Sequence, residues 1–252
     1  MSTTRTISGF EPHWTSPPGV RMFVTSRQGG HSRPPYDTFN LAHHVGDDSE
    51  AVAANRADLR AGLGLPAEPG WLGQVHGTRC TAVGPDGPAE AEADAATVAG
   101  PGAVAAVLTA DCLSVVLARD DGTAAGVAHA GWRGLASGVL EEAVAALGSG
   151  SDLHAFLGPA IGPEAYVVGD DVRDAFAKAA FEDLLAFQPA AEGWHANLYL
   201  LAANRLKRLG LDPGHISGGG FCTYSDPARF FSYRRDGGET GRMATLVYRA
   251  PR

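Results

Sequence analysis

The sequence predicts an α/β chain folded as a single domain over residues 1–252. Short apolar runs with the period of strands dominate residues 104–130. Helices are predicted at 50–62, 135–147, 171–187 and 197–209. With 252 residues, 44% hydrophobic and 19% charged, the chain is ordinary for a globular protein and near the upper end of what one domain covers.

Residues 104–130 are predicted to form three strands, the last two joined as a hairpin. Asp121-Gly122 lies between two apolar runs, and glycine supplies the positive φ that a two-residue primed turn needs. With these two residues as the loop, Ser114 faces His129. Cys112 and His129 then lie on one face as diagonal neighbours, close enough to share a metal ion. A register shift of one residue would put them on opposite faces.

The helix over 135–147 is predicted from its apolar spacing and ends at Gly148. The glycine-rich segment HAGWRG at 129–134 precedes it, so a turn at the helix start presents free N–H groups that favour an anion. The alternative is that these glycines only allow a tight strand-to-helix turn, and both interpretations stay open.

Near the start of the chain, a strand at 22–25 is predicted to lead into a long polar loop. The loop carries Arg27, Asn40, His43 and His44, and loops of this kind are more often sites than spacers. Adjacent residues of an extended segment point to opposite faces, so the two histidines are not predicted to bind one ion.

Two further segments complete the organisation. Ser49 is predicted to cap the helix over 50–62. Residues 84–102 are rich in Ala, Glu, Gly and Pro, and we interpret them as an excursion within the domain, because the residues on either side belong to one predicted site. Asp94 is predicted to anchor this excursion.

The overall charge argues against several classes of partner. A formal net charge of −8 gives no general attraction to nucleic acid or to an anionic membrane. The N-terminus lacks the apolar core of a signal peptide, and the longest uncharged apolar run, 103–110, is too short to cross a bilayer. We expect a cytoplasmic protein and a monomer. The 3 cysteines include no CxxC pair, so neither a disulfide framework nor a zinc ribbon is predicted.

The candidate metal ligands and catalytic residues are His76, Cys112 and His129. Two imidazoles and one thiolate suit Zn²⁺, and three protein ligands leave the fourth tetrahedral position open for water or substrate. Without metal, the same groups suggest Cys112 as a nucleophile activated by a histidine. Copper is a third interpretation, but no methionine is an obvious axial ligand and no His-x-His pair exists. Asp111 is expected to orient a metal-bound histidine, although an ordinary strand-end role stays open.

The densest cationic cluster of this acidic chain lies near its end. Arg234, Arg235 and Arg242 together can clamp a phosphate or a carboxylate through bidentate hydrogen bonds. A solvated turn with charges is the alternative interpretation.

A series of motifs in fixed order covers nearly the whole chain. They are TSRQGGHS, FNLAHHVGDD, GQVHG, TADCLSVVL, AHAGWRG, GPAIGPEAYVVGDDV, NLYLLAANRL and CTYSDPARFFSYRRDGGETGR. By these motifs the chain resembles the laccase-domain family, also called YfiH-like, polyphenol oxidase, purine nucleoside phosphorylase or peptidoglycan editing factor.

The resemblance implies a single α/β domain of mixed β-sheets flanked by helices, with a metal site at His76, Cys112 and His129. It also implies phosphorolysis of adenosine, inosine, guanosine and S-methyl-5′-thioadenosine to the free base and ribose 1-phosphate, with adenosine deamination as a side activity. The expected cofactor is Zn²⁺, with copper as the alternative. The candidate contacts to substrate or phosphate are Arg27, Asn40, His44, Arg133, Arg234 and Arg242.

Other functions remain open at this point. The same trio suits a cysteine or zinc amide hydrolase that edits peptidoglycan precursors. A copper oxidase acting on phenols and a binding protein with a structural zinc are further alternatives.

Overall fold

The computed structural model describes residues 6–84, 86 and 92–250. Its strands are β1 (Gly9–Phe10), β2 (Val20–Thr25), β3 (Gly70–Trp71), β4 (Cys80–Ala82), β5 (Ala95–Val98), β6 (Val104–Thr109), β7 (Leu113–Arg119), β8 (Ala125–Ala130), β9 (Leu153–Leu157), β10 (Val167–Val168), β11 (Phe187–Pro189), β12 (Trp194–Ala196), β13 (Ile216–Gly218) and β14 (Met243–Arg249). Its α-helices are α1 (Ser49–Leu63), α2 (Trp132–Ser137), α3 (Val139–Leu147), α4 (Asp170–Ala179) and α5 (Leu198–Arg208). Short 3-10 helices lie at His43–Val45, Gly150–Asp152, Pro163–Ala165, Phe181–Ala186 and Pro213–His215.

Two mixed sheets form the centre of the fold. One has the strand order β1-β2-β14-β6-β3, and the other has the order β13-β9-β7-β8-β5-β4. Within them β3 pairs with β6, β4 with β5 and β13 with β9 in parallel, while the remaining neighbours are antiparallel. The strands β10-β12-β11 form a third, small antiparallel sheet that is not hydrogen bonded to the other two.

The sheets and helices form four layers, with apolar residues buried between them. Inward side chains of both large sheets, such as Val107, Val116 and Val127, form a cluster between the sheets. The other face of the six-stranded sheet packs against α2 to α5, and the other face of the five-stranded sheet packs against α1 and the loop around Phe39 and Leu41. Alternation along the long strands of the two large sheets therefore puts one side of each in the central layer. The predicted fold class of mixed sheets flanked by helices is confirmed.

The predicted register of the β7–β8 hairpin is confirmed, because Ser114 pairs with His129. The turn is longer than predicted: Ala118 pairs with Ala125, and the Gly122 N–H donates to the Arg119 carbonyl over 2.8 Å. Gly122 adopts a φ of 65°, which glycine permits at little cost.

Helix boundaries differ from the predictions where tertiary contacts intervene. The helix predicted over 135–147 is two helices, because Gly138 between them has a φ of 110°. Asp48 rather than Ser49 caps α1, accepting the Glu50 N–H over 2.8 Å. The helix predicted over 171–187 ends at Ala179.

A buried ion pair holds the segment that follows α4. Asp183 lies in the next 3-10 helix and is 1% exposed. Arg208 of α5 binds both of its carboxylate oxygens, over 2.9 and 2.8 Å. This ion pair links the 3-10 helix to α5, a contact that no local sequence pattern reveals.

The excursion predicted over 84–102 lies partly outside the described residues. Its described end, 92–102, contains β5, a strand of the six-stranded sheet. Among the described residues, no helix is both long enough and apolar enough to cross a membrane.

Candidate metal centre and substrate cavity

Three elements bring the predicted ligands together at the edge of the central layer. Cys112 precedes β7 and His129 lies near the end of β8, on strands whose register puts their side chains on the same face. His76 reaches the site from the loop after β3, with an unusual φ of 60° for a residue other than glycine.

The three ligand atoms lie within 4.8 Å of one another. Cys112 Sγ is 3.9 Å from His76 Nε2, and the imidazole rings of His76 and His129 have their centroids 4.7 Å apart. A tetrahedral zinc ion with ordinary bond lengths would hold sulfur and nitrogen ligands roughly 3.6 Å apart. The donor set and its spacing therefore fit a zinc ion.

Gly131 keeps this space open. A Cβ atom at this position would lie 2.9 Å from Cys112 Sγ and 3.0 Å from the His76 ring. Its φ of −60° is ordinary, so the requirement for glycine is one of space, not of backbone conformation. The glycine predicted to allow a tight turn thus also leaves room among the ligands.

Asp94 is the residue that orients the site. Its Oδ1 accepts hydrogen bonds from His129 Nδ1 over 2.8 Å and from the His76 N–H over 2.9 Å. Its Oδ2 accepts the N–H groups of Val75 and Gly77 over 3.2 and 2.7 Å. Because Nδ1 of His129 is occupied, Nε2 is the ring nitrogen left for a metal. Besides the predicted anchoring role, Asp94 therefore has a role that was not predicted, which is to orient His129.

Asp111 does not orient a histidine, contrary to the expectation. Its Oδ1 accepts from the Thr223 hydroxyl over 2.5 Å, and its Oδ2 accepts from the Arg234 N–H over 2.7 Å. Asp111 has a φ of 90°, which turns its carboxylate towards the 223–234 segment and away from the ligands. Its role is to position the loop that carries Arg234.

The metal-free ligands are electrostatically coupled. Burial alone would raise the pKa of the Cys112 thiol, but the charge of His129 and hydrogen bonds from both histidines lower it to about 6. Burial opposes the charge of His129, yet the Cys112 thiolate and the Asp94 carboxylate raise the pKa of that imidazole to about 9. A metal ion would take the place of the proton that the pair shares.

The ligands form one wall of a cavity of about 480 Å³. Its lining residues are His44, Gln74, His76, Leu108, Thr109, Ala110, Asp111, Cys112, His129, Trp132, Arg133, Ile161, Tyr166, Tyr233, Arg234 and Arg242. Its volume lies within the usual range for sites that bind small molecules.

Three guanidinium groups make this cavity cationic. Arg234 uses one nitrogen to donate to the Val167 carbonyl over 3.0 Å, and Arg242 donates to the Thr240 carbonyl over 2.7 Å. Arg133 stacks on Trp132 with its guanidinium carbon 4.4 Å from the ring centroid. Asp111 is the only carboxylate among the described lining residues, and it is already hydrogen bonded. The cavity therefore favours an anion within an acidic protein.

The pKa values of two other lining residues are shifted. Burial, with the positive charges of Arg242 and Arg56, lowers the pKa of His44, which favours the neutral imidazole. Burial also raises the pKa of the Tyr166 hydroxyl, which keeps its proton.

Two of the six predicted contacts to substrate lie outside the cavity. Arg27 donates to the Asp37 carbonyl over 3.1 Å and lies over the Phe231 ring. Asn40 is fully buried and accepts the Arg242 N–H over 2.9 Å, so it holds the backbone of a cavity residue. Of the six predicted contacts, the structure brings His44, Arg133, Arg234 and Arg242 together around the cavity.

Arg235 also points away from the cavity. Its guanidinium donates to the carbonyls of Thr223 and Phe230 over 2.7 and 3.0 Å and pairs with Asp236. Within the predicted arginine cluster, Arg235 therefore stabilises the loop while its two neighbours in the cluster face the cavity.

Comparison with known proteins identifies the same family as the sequence motifs do. A family model described as multi-copper polyphenol oxidoreductase laccase matches residues 21–250. The chain belongs to this laccase-like family. Relatives of this laccase-like chain include "Purine nucleoside phosphorylase PA4543" of Pseudomonas aeruginosa, 48% identical over 240 residues that cover 94% of this chain and 96% of that protein. Another is "Purine nucleoside phosphorylase YfiH" of Escherichia coli, 44% identical over 238 residues, with 94% and 97% covered.

Solved structures show the same laccase-like fold. Protein NMB0706 of Neisseria meningitidis superposes with a TM-score of 0.90 at 41% identity, covering 97% of this chain and 100% of that one. YlmD from Geobacillus stearothermophilus also superposes with a TM-score of 0.90, at 30% identity, covering 100% of this chain and 98% of that one.

Sequence reasoning missed the aromatic residues of the site. Trp132, Tyr166 and Tyr233 all line the cavity, and Gln74 is held there by hydrogen bonds with both backbone groups of Leu108. Trp132 lies within the predicted glycine-rich segment at 129–134, which is the one signal that points to it. Tyr166 and Tyr233 come from separate segments, so only the folded chain brings them together.

Proposed function

We propose that this laccase-like chain is a zinc-dependent purine nucleoside phosphorylase. Its substrates would be adenosine, inosine, guanosine and S-methyl-5′-thioadenosine, which react with phosphate to give the free base and the ribose 1-phosphate or its methylthio analogue. Adenosine deamination is proposed as a side activity. The observation that carries this proposal is one cavity that combines a His₂Cys ligand set with three arginines. The names of the relatives support the same reaction class.

The arginines account for phosphate binding. Arg133, Arg234 and Arg242 line one cavity, and guanidinium groups bind phosphate oxygens in pairs. They would hold phosphate against C1′ of the ribose and stabilise charge as the reaction proceeds. A phosphate oxygen forms the new bond to C1′ while the C1′–N9 bond breaks, and the bonding electrons leave with the purine.

The aromatic residues account for the nucleoside. The faces of Trp132, Tyr166 and Tyr233 offer stacking surfaces for a purine or a ribose. Because Tyr166 keeps its proton, its hydroxyl can donate a hydrogen bond to the purine as electrons collect on it. A zinc ion held by His76, Cys112 and His129 would supply Lewis-acid charge near the reacting oxygens.

The test is adenosine turnover with and without phosphate. We expect the wild-type protein to release adenine and ribose 1-phosphate only when phosphate is present. Cys112→Ala should lower turnover by roughly 100-fold or more while circular dichroism shows an intact fold. Cys222→Ser is the matched control, because serine still accepts the Gly162 N–H that Cys222 Sγ accepts over 3.2 Å.

The same assay, with the products separated by chromatography, also tests the side activity and the phosphate site. Inosine formed from adenosine without phosphate reports deamination. Arg234→Met should raise the KM for phosphate more than it lowers kcat. Adenine release that does not depend on phosphate, or that survives in Cys112→Ala, would overturn the proposal.

One observation favours amide hydrolysis as a second candidate. Cys112 lies beside His129, whose other ring nitrogen is bound by Asp94, an arrangement of thiol, imidazole and carboxylate that suits a nucleophilic cysteine. This candidate predicts cleavage of an amide bond in peptidoglycan precursors by metal-free protein. The phosphorylase proposal predicts that zinc protects Cys112 from iodoacetamide and that no amide is cleaved.

A further inference from the structure

We propose that Asp120, His154 and His215 form a second binding site, for a divalent transition-metal ion of the zinc class. One ligand atom from each residue lies within 4.8 Å of the others. Two imidazoles and one carboxylate suit first-row divalent ions such as zinc. The site shares no residue with the His76, Cys112 and His129 centre.

Strand pairing brings the three side chains together. In the parallel pair β9–β13, Ile216 lies beside Ala155, so the preceding residues, His215 and His154, are neighbours on one face. Their rings stack with centroids 3.9 Å apart and an interplanar angle of 18°. Backbone pairing therefore sets the distance between these two ligands.

The carboxylate comes from the other side of β9. His154 lies opposite Ala118 of β7, and Asp120 follows Ala118 by two residues, which makes it a diagonal neighbour on the same face. Asp120 Oδ1 is 3.0 Å from His154 Nε2. The Asp120 N–H also donates to the Asp152 carbonyl over 2.9 Å, which fixes the turn.

The histidine at the edge is available as a ligand. Nδ1 of His215 is buried and has no hydrogen-bond partner within residues 6–84, 86 and 92–250. A buried ring nitrogen without a partner is costly unless a proton donor or a metal satisfies it. His215 ends a 3-10 helix whose first residue is Pro213, so its backbone is held in place.

The spacing requires only small movements. Ligands around a tetrahedral zinc ion lie roughly 3.3 Å apart when all bonds are to nitrogen or oxygen. The Asp120 to His154 distance of 3.0 Å already matches, and the remaining separations are at most 4.8 Å. Closing the site also requires rotation of exposed Asp120 and a turn of the His215 ring out of its stack on His154, because nearly parallel rings do not direct their nitrogen lone pairs at one ion.

The second site is distant from the first. Asp120 follows one end of β7 and Cys112 precedes the other end, and seven strand residues span about 20 Å. An ion at Asp120 would therefore contact no substrate in the cavity. It would join the β7–β8 turn, β9 and the segment before β13, which makes stabilisation of this sheet edge its expected effect.

Metal binding by a variant that lacks the first site tests the proposal. Metal-free Cys112→Ala protein, titrated with Zn²⁺ in a calorimeter, should bind one equivalent and melt at a higher temperature when zinc is present. Adding Asp120→Asn should weaken this binding by roughly tenfold or more, since it replaces a charged ligand. Asp121→Asn is the matched control, because Asp121 lies in the same turn but bonds to Thr123.

Cobalt distinguishes the two sites without relying on Cys112→Ala. In wild-type protein the equivalent bound by Cys112 gives a thiolate charge-transfer band, and we expect a second equivalent with visible absorption but without that band. His215→Gln should remove only the second equivalent, whereas exposed His13→Ala should remove neither. A single cobalt equivalent in wild-type protein, or equal zinc affinity in the Asp120→Asn and Asp121→Asn proteins, would overturn the proposal.

Discussion

Asp94→Asn is the substitution that best distinguishes effects on the metal centre from effects on the rest of the fold. Asp94 is fully buried and accepts four hydrogen bonds, two on each carboxylate oxygen. Asparagine replaces one oxygen with an NH₂ group, so in either orientation two donors face another donor.

The magnitude follows from those two lost acceptors. A buried donor left unpaired costs about 1–3 kcal/mol, and the N–H donors of Val75, His76 and Gly77 are only partly buried, so we expect the free energy of unfolding to fall by about 1–3 kcal/mol. His129 also loses the carboxylate that orients its ring and raises its basicity. Loss of such a partner typically lowers metal affinity by about 10- to 100-fold.

Zinc affinity is measured by competition with a chelating dye, and stability by urea unfolding. Asp183→Asn is the matched control, because Asp183 is also a buried carboxylate but binds Arg208. It should lower stability and leave zinc affinity unchanged. The reasoning is refuted if Asp94→Asn protein folds and binds zinc as tightly as wild type, or if Asp183→Asn weakens zinc binding equally.

Three further predictions each rest on the contacts of one residue. Gly131→Ala should weaken zinc binding by roughly tenfold or more, because its methyl group would lie 2.9 Å from Cys112 Sγ. Gly84→Ala should bind zinc normally in the same dye assay, because no atom of the described residues lies within 4 Å of the added carbon. Tyr199→Phe should lower the urea-derived stability by about 1–3 kcal/mol, since the hydroxyl accepts a buried N–H over 2.9 Å; unchanged stability would contradict the inferred bond. Burial raises the pKa of Asp236, but hydrogen bonds from Arg235 and Thr240 outweigh this effect and lower the pKa in the folded protein. The ionised carboxylate therefore stabilises the folded state fully above the unfolded pKa of about 3.9, and this stabilisation is lost as the pH falls through the lower folded value. The unfolding midpoint of wild type should therefore fall more steeply below about pH 4 than that of Asp236→Asn, and parallel curves would refute the assignment.

Local sequence patterns were sufficient to predict the β7–β8 hairpin and the two metal ligands that it carries. Asp121-Gly122 between two apolar runs predicted the register that pairs Ser114 with His129, and alternation then placed Cys112 on the same face. This prediction succeeded because strand register follows from the turn and from which face is buried. The length of the turn did not follow, because it depends on a backbone hydrogen bond to Arg119.

Long-range polar contacts could not be predicted from the sequence. Asp111 adjoins Cys112 in the chain, yet Asp94 is the carboxylate that binds His129. Nearness in sequence is a poor guide here, since a φ of 90° turns Asp111 towards Thr223. In the same way, charge density predicted an arginine cluster but not that Arg235 points away from the cavity.

The central claim is that phosphorolysis depends on a metal held by His76, Cys112 and His129 beside the arginine-lined cavity. The most direct measurement is ribose 1-phosphate formation from adenosine and phosphate by metal-free protein, before and after zinc is restored. We predict that zinc restores the activity to wild-type protein but not to Cys112→Ala. Equal formation of ribose 1-phosphate by metal-free and zinc-loaded protein would contradict the account.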